Sequence, residues 1–301
     1  QRPVHNTRWT GAATSDRSLQ PFSREQKREE PDGLNANAPT LTLSSRESPG
    51  ARSLNIEYAK VSALGDRTDN QDRAAVVVAD EAALMLVFDG MGGHSDGAQA
   101  AETGIEVVQD LFMAAKLPIF DPMGFLYMAL SRAHDAVVAL GTHVAVDFRP
   151  RATCAICLVQ EDGAYWAHIG DSRIYHVRDG RVLTRSRDHS HVEVLVQEGA
   201  ITEEEAQDHP MKNFVECCLG GDPPVPDMSI TPKVALEPDD VLLVCSDGLW
   251  SGLTDADMAT IAVPGENNLA ENLKSLSLKA LNVNSPYSDN TSGTAIRWLG
   301  H

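Results

Sequence analysis

ALMLVFDGMGGH, residues 83–94, is the part of this sequence that is most informative about its fold. Its apolar run ends at Asp89, and glycines follow at once. A short apolar run bounded by turn residues predicts a buried strand. A carboxylate at the end of a buried strand loses hydration, which is costly unless it accepts hydrogen bonds or binds a cation. The stretch therefore predicts a strand that carries a carboxylate to the edge of a sheet.

Three more strand ends carry an aspartate beside Gly, Ser or Asn, namely Asp171 in HIGDSRIY, Asp247 in VCSDGLW and Asp289 in YSDNTSG. A fifth aspartate, Asp72 in RTDNQDR, lies directly before a predicted strand. A turn or cap explains any one of them alone. Five in one chain, without the paired His or Cys that zinc prefers, indicate hard oxygen ligands for Mg²⁺ or Mn²⁺. Because these residues are far apart in sequence, the fold must gather them.

The order of the predicted elements indicates the class of fold. Apolar patterns predict strands at 54–65, 72–80, 83–90, 152–160, 163–171, 172–180, 181–184, 240–248 and 293–299. Helical spacing predicts helices at 98–115, 125–140, 191–198, 202–207, 255–261 and 269–281. Since strands come in blocks and helices in pairs, we expect an α+β fold with antiparallel sheets and helices packed outside them.

Composition limits the possible partners. The chain has 301 residues, 42% of them hydrophobic, and a net charge of −18. Residues 1–52 are rich in Ser, Pro, Arg and Asn, which predicts a disordered tail or linker ahead of one domain at 53–300. The tail carries a net charge of +2 and the remainder −20, so we expect neither nucleic acid nor membrane as a partner. No apolar stretch is long enough to predict a transmembrane helix.

The five cysteines do not predict a disulfide framework, because their number is odd and their spacing irregular. Cys154 and Cys157 form a CxxC inside a predicted strand, where they point to opposite faces. We interpret them as buried apolar side chains. Cysteines that are not predicted to form disulfides fit a reducing, cytoplasmic location.

Five short motifs, taken in order, resemble the type 2C protein serine/threonine phosphatases, and most closely their bacterial branch. They are Arg67-x-x-Asn70-Gln71-Asp72, Asp89-Gly90-Met91-Gly92-Gly93-His94, Gly170-Asp171-Ser172-Arg173, Ser246-Asp247-Gly248-Leu249 and Asp289-Asn290. The resemblance runs from about residue 53 to 299, and the segment 186–232 is similar to the family's flap subdomain. It implies a four-layer α-β-β-α sandwich, in which two antiparallel sheets lie between flanking helices and carry a small flap.

The resemblance also implies a set of metal ligands. Asp89 would bridge two core ions, Mn²⁺ or Mg²⁺, with Asp247 and Asp289 completing the first site and the Gly90 carbonyl contributing to the second. Asp72 would act through metal-bound water. Two such cations lower the pKa of a bridging water and orient it for in-line attack on a phosphate monoester.

Two further roles follow from the same resemblance. Asp171, together with Asp247, would hold a third and weaker ion near the flap. Arg67 would bind the substrate phosphate, since a guanidinium matches two phosphate oxygens at once.

Two positions depart from the pattern of the animal members. Gln71 stands where an acidic residue is common, which should weaken the second metal site. Met91 stands where animal members carry a His proposed as general acid. His94, three residues later, could donate a proton to the leaving group or serve a structural role.

The expected function is dephosphorylation of phosphoserine and phosphothreonine in proteins by a monomeric enzyme, opposing a bacterial serine/threonine kinase. Three alternatives stay open at this point. One is a phosphatase of the sporulation and stress-response class that acts on partner-switching proteins. Another is a non-catalytic phosphoprotein-binding module on the same fold. The third is an acidic adaptor whose aspartates only form turns.

Overall fold

A computed structural model describes residues 54–91, 95–207, 209–212, 214–263 and 268–300, together with the backbone of residues 40–46. These residues belong to one compact unit that spans 35–301. His94, the candidate proton donor, lies outside the described residues, as does most of the segment predicted to be a disordered tail.

Twelve strands in the described part of the chain form two sheets. Their bounds are β1 Thr40–Arg46, β2 Ile56–Ala63, β3 Asp72–Val78, β4 Ala82–Met91, β5 Arg151–Gln160, β6 Gly163–Ile169, β7 Arg173–Arg178, β8 Arg181–Arg185, β9 Leu219–Gly220, β10 Ser229–Ala235, β11 Val241–Cys245 and β12 Thr291–Trp298. One sheet has the order β1-β2-β12-β11-β7-β8. The other has the order β10-β6-β5-β4-β3, and β9 pairs with β5. The described pairings are antiparallel, as predicted.

The described helices have the bounds α1 Ser95–Ala114, α2 Pro122–Leu140, α3 His191–Gln197, α4 Glu203–Gln207, α5 Asp247–Trp250, α6 Asp255–Ala259 and α7 Leu269–Asn284. The first turn of α2 is capped by Asp121, whose side chain accepts a hydrogen bond from the N–H of Gly124 at 3.0 Å. A capping box of Thr254 and Asp257 opens α6. These caps satisfy N–H groups that have no partner inside the helix.

The described elements stack in four layers around three apolar cores. Helices α1 and α2 cover the outer face of the β4-β5-β6 sheet, where Phe88 and Leu130 are fully buried. Helices α6 and α7 cover the outer face of the other sheet around Leu243 and Leu273. The third core fills the space between the sheets. The four layers confirm the predicted α-β-β-α sandwich. Cys154 and Cys157 lie buried on opposite faces of β5, as the two-residue period of a strand predicts.

One part of the tail predicted for residues 1–52 lies among the described residues. The backbone of Thr40–Arg46 forms strand β1, which pairs along its length with β2, and the prediction for the rest of the tail stays a prediction. The sequence there, TLTLSSR, alternates polar and apolar residues over too few positions to stand out from its surroundings. Hydrogen bonding to an exposed strand edge stabilises such a segment where its own pattern would not.

No helix in the described part of the chain is both long and apolar enough to cross a bilayer.

Candidate active site

The register of two neighbouring strands brings the first two aspartates together. In the pairing of β3 with β4, Asp72 is directly opposite Asp89. On the other side of β4, Asp89 is opposite Thr153 of β5. Directly paired residues have their side chains on the same face of a sheet. Asp72 is buried and Asp89 is half-buried, so both carboxylates stand at the edge of the space between the two sheets.

The other sheet supplies Asp247 and Asp289 at the ends of two paired strands. Asp247 begins the short helix α5 directly after β11, and Asp289 precedes β12, which pairs with β11. The turn after β11 packs so closely on the start of β12 that a Cβ at Gly248 would lie 2.1 Å from the carbonyl oxygen of Asn290. A side chain at position 248 would therefore force the two aspartates apart.

Asp171 joins the same group from the end of β6. Its side chain is buried, and the hydroxyl groups of Thr153 and Ser172 hydrogen bond to each other at 2.8 Å. This contact ties the residue beside Asp171 to the residue opposite Asp89. We refer to Asp72, Asp89, Asp171, Asp247 and Asp289 as the acidic cluster.

The electrostatics of the acidic cluster show that its members interact. Burial raises the pKa of Asp72 to about 7, with further increases from the negative charges of Asp247 and Asp289. Burial also raises the pKa of Asp89 and that of Asp171 well above the usual range, and neighbouring carboxylates add to both shifts. For Asp247, burial and the charge of Asp289 raise the pKa to about 6. Carboxylates that destabilise one another in this way require protons or cations.

Two members of the cluster have specific partners. The hydroxyl of Ser246 donates to Oδ2 of Asp72 at 2.7 Å. The guanidinium of Arg67 donates to Oδ2 of Asp289 at 2.5 Å, and both side chains reach solvent. Within the described residues, no group of three or more His, Cys, Asp and Glu side chains is already arranged to hold a metal ion. The donor chemistry fits a divalent cation, and binding of an ion by Asp289 would require its carboxylate to turn away from Arg67.

The backbone around Gly90 is fixed by close packing. Its N–H donates to the carbonyl oxygen of Gln71 at 3.2 Å, and a Cβ on Gly90 would lie 2.0 Å from the carbonyl oxygen of Gly97 in the first turn of α1. Glycine at position 90 therefore lets the end of β4 touch α1. This contact fixes the path of the chain just beyond Asp89.

The structure thus brings together every predicted site residue that lies among the described ones. The five aspartates, Gly90 and Arg67 surround one edge of the sandwich. Whether these groups hold metal and phosphate in the predicted roles stays a prediction. The role suggested for His94 lies outside the described residues.

Asn290 is a residue whose role the sequence did not predict. Its buried side chain accepts from the N–H of Gln71 at 2.8 Å and donates to the carbonyl oxygens of Leu64 and Asp69 at 2.9 and 3.0 Å. Asn290 therefore holds the loop that carries Arg67 against the segment that carries Asp289, just before β12. The Asp-Asn dipeptide was visible in the sequence, but its partners are more than 200 residues away.

The segment 186–232, which the resemblance predicts to be a flap and which we call the flap, is joined to the site by buried polar contacts. Arg173 makes two hydrogen bonds of 2.8 Å to Asp188, and its guanidinium lies 3.4 Å from the ring centroid of Trp250. The indole N–H of Trp250 donates to the carbonyl oxygen of Asp171 at 3.0 Å. His189 accepts from the N–H of Gly170 at 3.3 Å, at the base of the flap. The flap root is therefore connected directly to the acidic cluster.

Comparison with known proteins identifies relatives of this chain. The family model described as "Protein phosphatase 2C" matches residues 61–281. A protein of Streptococcus pyogenes described as protein phosphatase 2C-type is 36% identical over 182 residues, which are 59% of this chain and 72% of that protein. The serine/threonine protein phosphatase PstP of Mycobacterium tuberculosis is 31% identical over 232 residues, covering 74% of this chain. The matched region spans only 42% of the length of PstP.

Solved structures agree with these sequence matches. The catalytic domain of PstP, in a crystal structure with two manganese ions, superposes with a TM-score of 0.67 at 28% identity. The match covers 81% of this chain and 98% of that domain.

Proposed function

This chain belongs to the protein phosphatase 2C family of serine/threonine phosphatases, and we propose that its acidic cluster holds the divalent cations with which it hydrolyses phosphoserine and phosphothreonine in proteins. The observation that carries the proposal is the convergence of five carboxylates, two of them buried, at one edge of the sandwich. Such a group of negative charges is unfavourable by itself and favourable around cations.

The ligand assignment is the one that the resemblance implies. Asp89 is opposite Asp72 in the sheet and interacts electrostatically with the other four carboxylates, which supports a role for Asp89 as a ligand shared by two ions. Asp247 and Asp289 would complete the first ion's shell, and the carbonyl of Gly90 would serve the second. Asp171 with Asp247 would hold a third, weaker ion. We favour Mn²⁺ or Mg²⁺, and two manganese ions are present in the PstP structure.

The chain's own residues would bind and orient the substrate. Arg67 is 59% exposed at the rim, so its guanidinium can reach an incoming phosphate. If Asp289 held a cation, Arg67 would lose its carboxylate partner and its guanidinium would be free to bind two phosphate oxygens. Bound cations would neutralise the phosphate charge and lower the pKa of the attacking water. Ser246 keeps Asp72 in place while the other carboxylates move.

The wider setting of the activity is also proposed. Phosphorylated proteins are the substrates that the relatives imply, and an opposing serine/threonine kinase would supply them. We propose in addition that the enzyme acts as a monomer in the cytoplasm.

The test replaces Asp247 by Asn, which keeps the size of the side chain and removes its charge. With Mn²⁺ present, we expect kcat on p-nitrophenyl phosphate and on a phosphothreonine peptide to fall by about 100-fold or more. Calorimetric titration should show weaker Mn²⁺ binding in the same variant. Asp135→Asn, on the exposed face of α2, is the matched control and should change neither quantity. Wild-type turnover by Asp247→Asn would refute the proposed metal site.

A further inference from the structure

We propose that Arg151 selects protein substrates that carry an acidic side chain next to the phosphorylated residue. The inference rests on the proposed phosphatase activity and adds a preference among its substrates. It begins from the position of Arg151 relative to the acidic cluster.

Arg151 is the first residue of β5, where three strands meet. It is directly opposite Met91 of β4 and, on its other side, opposite Gly220 of β9. Two residues further along β5, Thr153 is opposite Asp89. Residues two apart on a strand share a face and are separated by roughly 7 Å. The side chain of Arg151 therefore leaves the sheet on the same face as the Asp89 carboxylate, one step closer to solvent.

Arg151 lines a cavity of about 710 Å³ that reaches Met91, the last residue of β4 and two residues beyond Asp89. Met91 and Asp96, from the segment that follows Asp89, form one wall of this cavity. Flap residues between 214 and 226 form another wall. Phe148 and Phe214, which also line it, are 74% and 52% exposed. A cavity that contains Arg151, on the sheet face that also carries Asp89, and that offers exposed aromatic rings is suited to the residues that flank a phosphorylated side chain.

The guanidinium of Arg151 has N–H groups that remain available to a carboxylate of the substrate. One nitrogen donates to the carbonyl oxygen of Val146 at 2.9 Å, and Gly221 packs against the group so closely that a Cβ there would lie 2.7 Å from Nε. No carboxylate of the described residues lies within 4.0 Å of it in an ion pair. Arg149 differs, because it donates to Val144 and Gly221 and lies 4.0 Å from Asp222.

Carboxylates also line the cavity, and their positions decide whether the cavity attracts or repels an acidic side chain of the substrate. Asp147, Glu216 and Asp222 are exposed at its rim, where water and salt screen them. Glu216 lies 3.3 Å from His191, and Asp222 is beside Arg149. Arg151 is half-buried, so its attraction for an anion is screened less than the repulsion from the rim. Asp96, the fourth carboxylate, is half-buried and already interacts with another residue.

The experiment compares kcat/KM for three phosphothreonine peptides that differ only at the residues next to the phosphothreonine, which are Glu, Gln or Lys. With Mn²⁺ present, the wild-type enzyme should prefer the Glu peptide to the Gln peptide by about fivefold or more, as a charge-assisted hydrogen bond predicts. Raising the salt concentration should reduce the preference. Arg151→Gln should bring the ratio of the two kcat/KM values close to one.

Two further variants separate selection by charge from a structural role, since Arg151 also holds the carbonyl of Val146. Arg151→Lys keeps the charge and should keep most of the preference for Glu. Arg151→Glu should reverse the order, so that the Lys peptide becomes the best substrate. If Arg151 only supported the neighbouring turn, both variants would lower activity on the three peptides alike, and the proposal would be overturned.

The matched control is Arg181→Gln, which removes the same charge from the exposed strand β8 and should leave the order of the peptides unchanged. Hydrolysis of none of the peptides by the wild-type enzyme would contradict the phosphatase activity itself. Hydrolysis of all three at equal kcat/KM by wild type and Arg151→Glu would contradict only the selection by Arg151.

Discussion

At the scale of single residues, Asn290 joins the two parts of the chain that carry the site. It makes three hydrogen bonds across the site, one accepted from Gln71 and two donated to Leu64 and Asp69. Because the side chain is only 5% exposed, its removal leaves these backbone groups without partners away from water. We expect Asn290→Ala to lower the free energy of unfolding by about 2–4 kcal/mol. Urea denaturation measures this change.

The same variant should also lose activity in its folded fraction, because the loop that carries Arg67 is no longer held against Asp289. Asn272→Ala is the matched control. Asn272, on α7, donates to the carbonyl oxygens of Ile261 and Val263, which make no described hydrogen bond to the acidic cluster. Its replacement should cost stability without changing kcat/KM of the folded protein. Equal losses of kcat/KM in the two variants would show that Asn290 has no special role in the site.

At the scale of elements, the flap depends on one buried ion pair at its root. The guanidinium of Arg173 makes two bonds of 2.8 Å to Asp188, and their side chains are 14% and 6% exposed. Removing one partner of a buried pair leaves the other charge uncompensated, which costs about 3–5 kcal/mol. Asp188→Asn should therefore destabilise the flap and, through Trp250, the position of Asp171. Hydrogen exchange of the backbone amides at 189–197 should become faster in this variant.

A surface pair provides the comparison. Asp162 and Lys233 are also ion-paired, but their side chains are 59% and 41% exposed. Asp162→Asn should change the free energy of unfolding by less than about 1 kcal/mol, since water screens such pairs. If Asp188→Asn were as mild as Asp162→Asn, the flap root would not depend on this pair.

Elements with a strong apolar pattern were predictable from sequence, and the others were not. Strand β4, which carries Asp89, is buried along almost its whole length, so its composition alone identifies it. Strand β10, SITPKVA, was missed because its residues are exposed or half-buried and it pairs with β6 through an irregular register. The five aspartates were found because each interrupts or borders a strand. Partners such as Asp188 for Arg173, and the position of Arg151 beside the flap, depend on tertiary contacts that a local pattern does not contain.

At the scale of the whole molecule, the two sheets bring like charges together at one edge. The pKa of Asp72 is raised to about 7 and that of Asp247 to about 6, in both cases chiefly by burial and then by neighbouring carboxylates. In an unfolded chain the pKa of an aspartate is about 3.9. At a pH between the pKa of the unfolded chain and the raised pKa values of the folded protein, the folded protein therefore binds more protons than the unfolded chain. A raised carboxyl pKa contributes stability that is complete below the unfolded pKa and is lost as the pH rises through the folded one.

The protein without divalent cations should accordingly lose stability between about pH 4 and pH 7, by on the order of a few kcal/mol from these groups. Chemical denaturation in the presence of a chelator, repeated across this range, measures the change. Mn²⁺ should restore stability most at the upper end, because cations replace the protons that the cluster has lost. Asp72→Asn should flatten the pH dependence, whereas Asp135→Asn, on the surface of α2, should not. Because burial lowers the pKa of His168 to about 4 and that of His189 as well, these histidines add stability as the pH rises, and the comparison between variants is decisive. If the chelated wild-type protein and Asp72→Asn had the same pH dependence, the carboxylates of the cluster would not repel one another in the folded state.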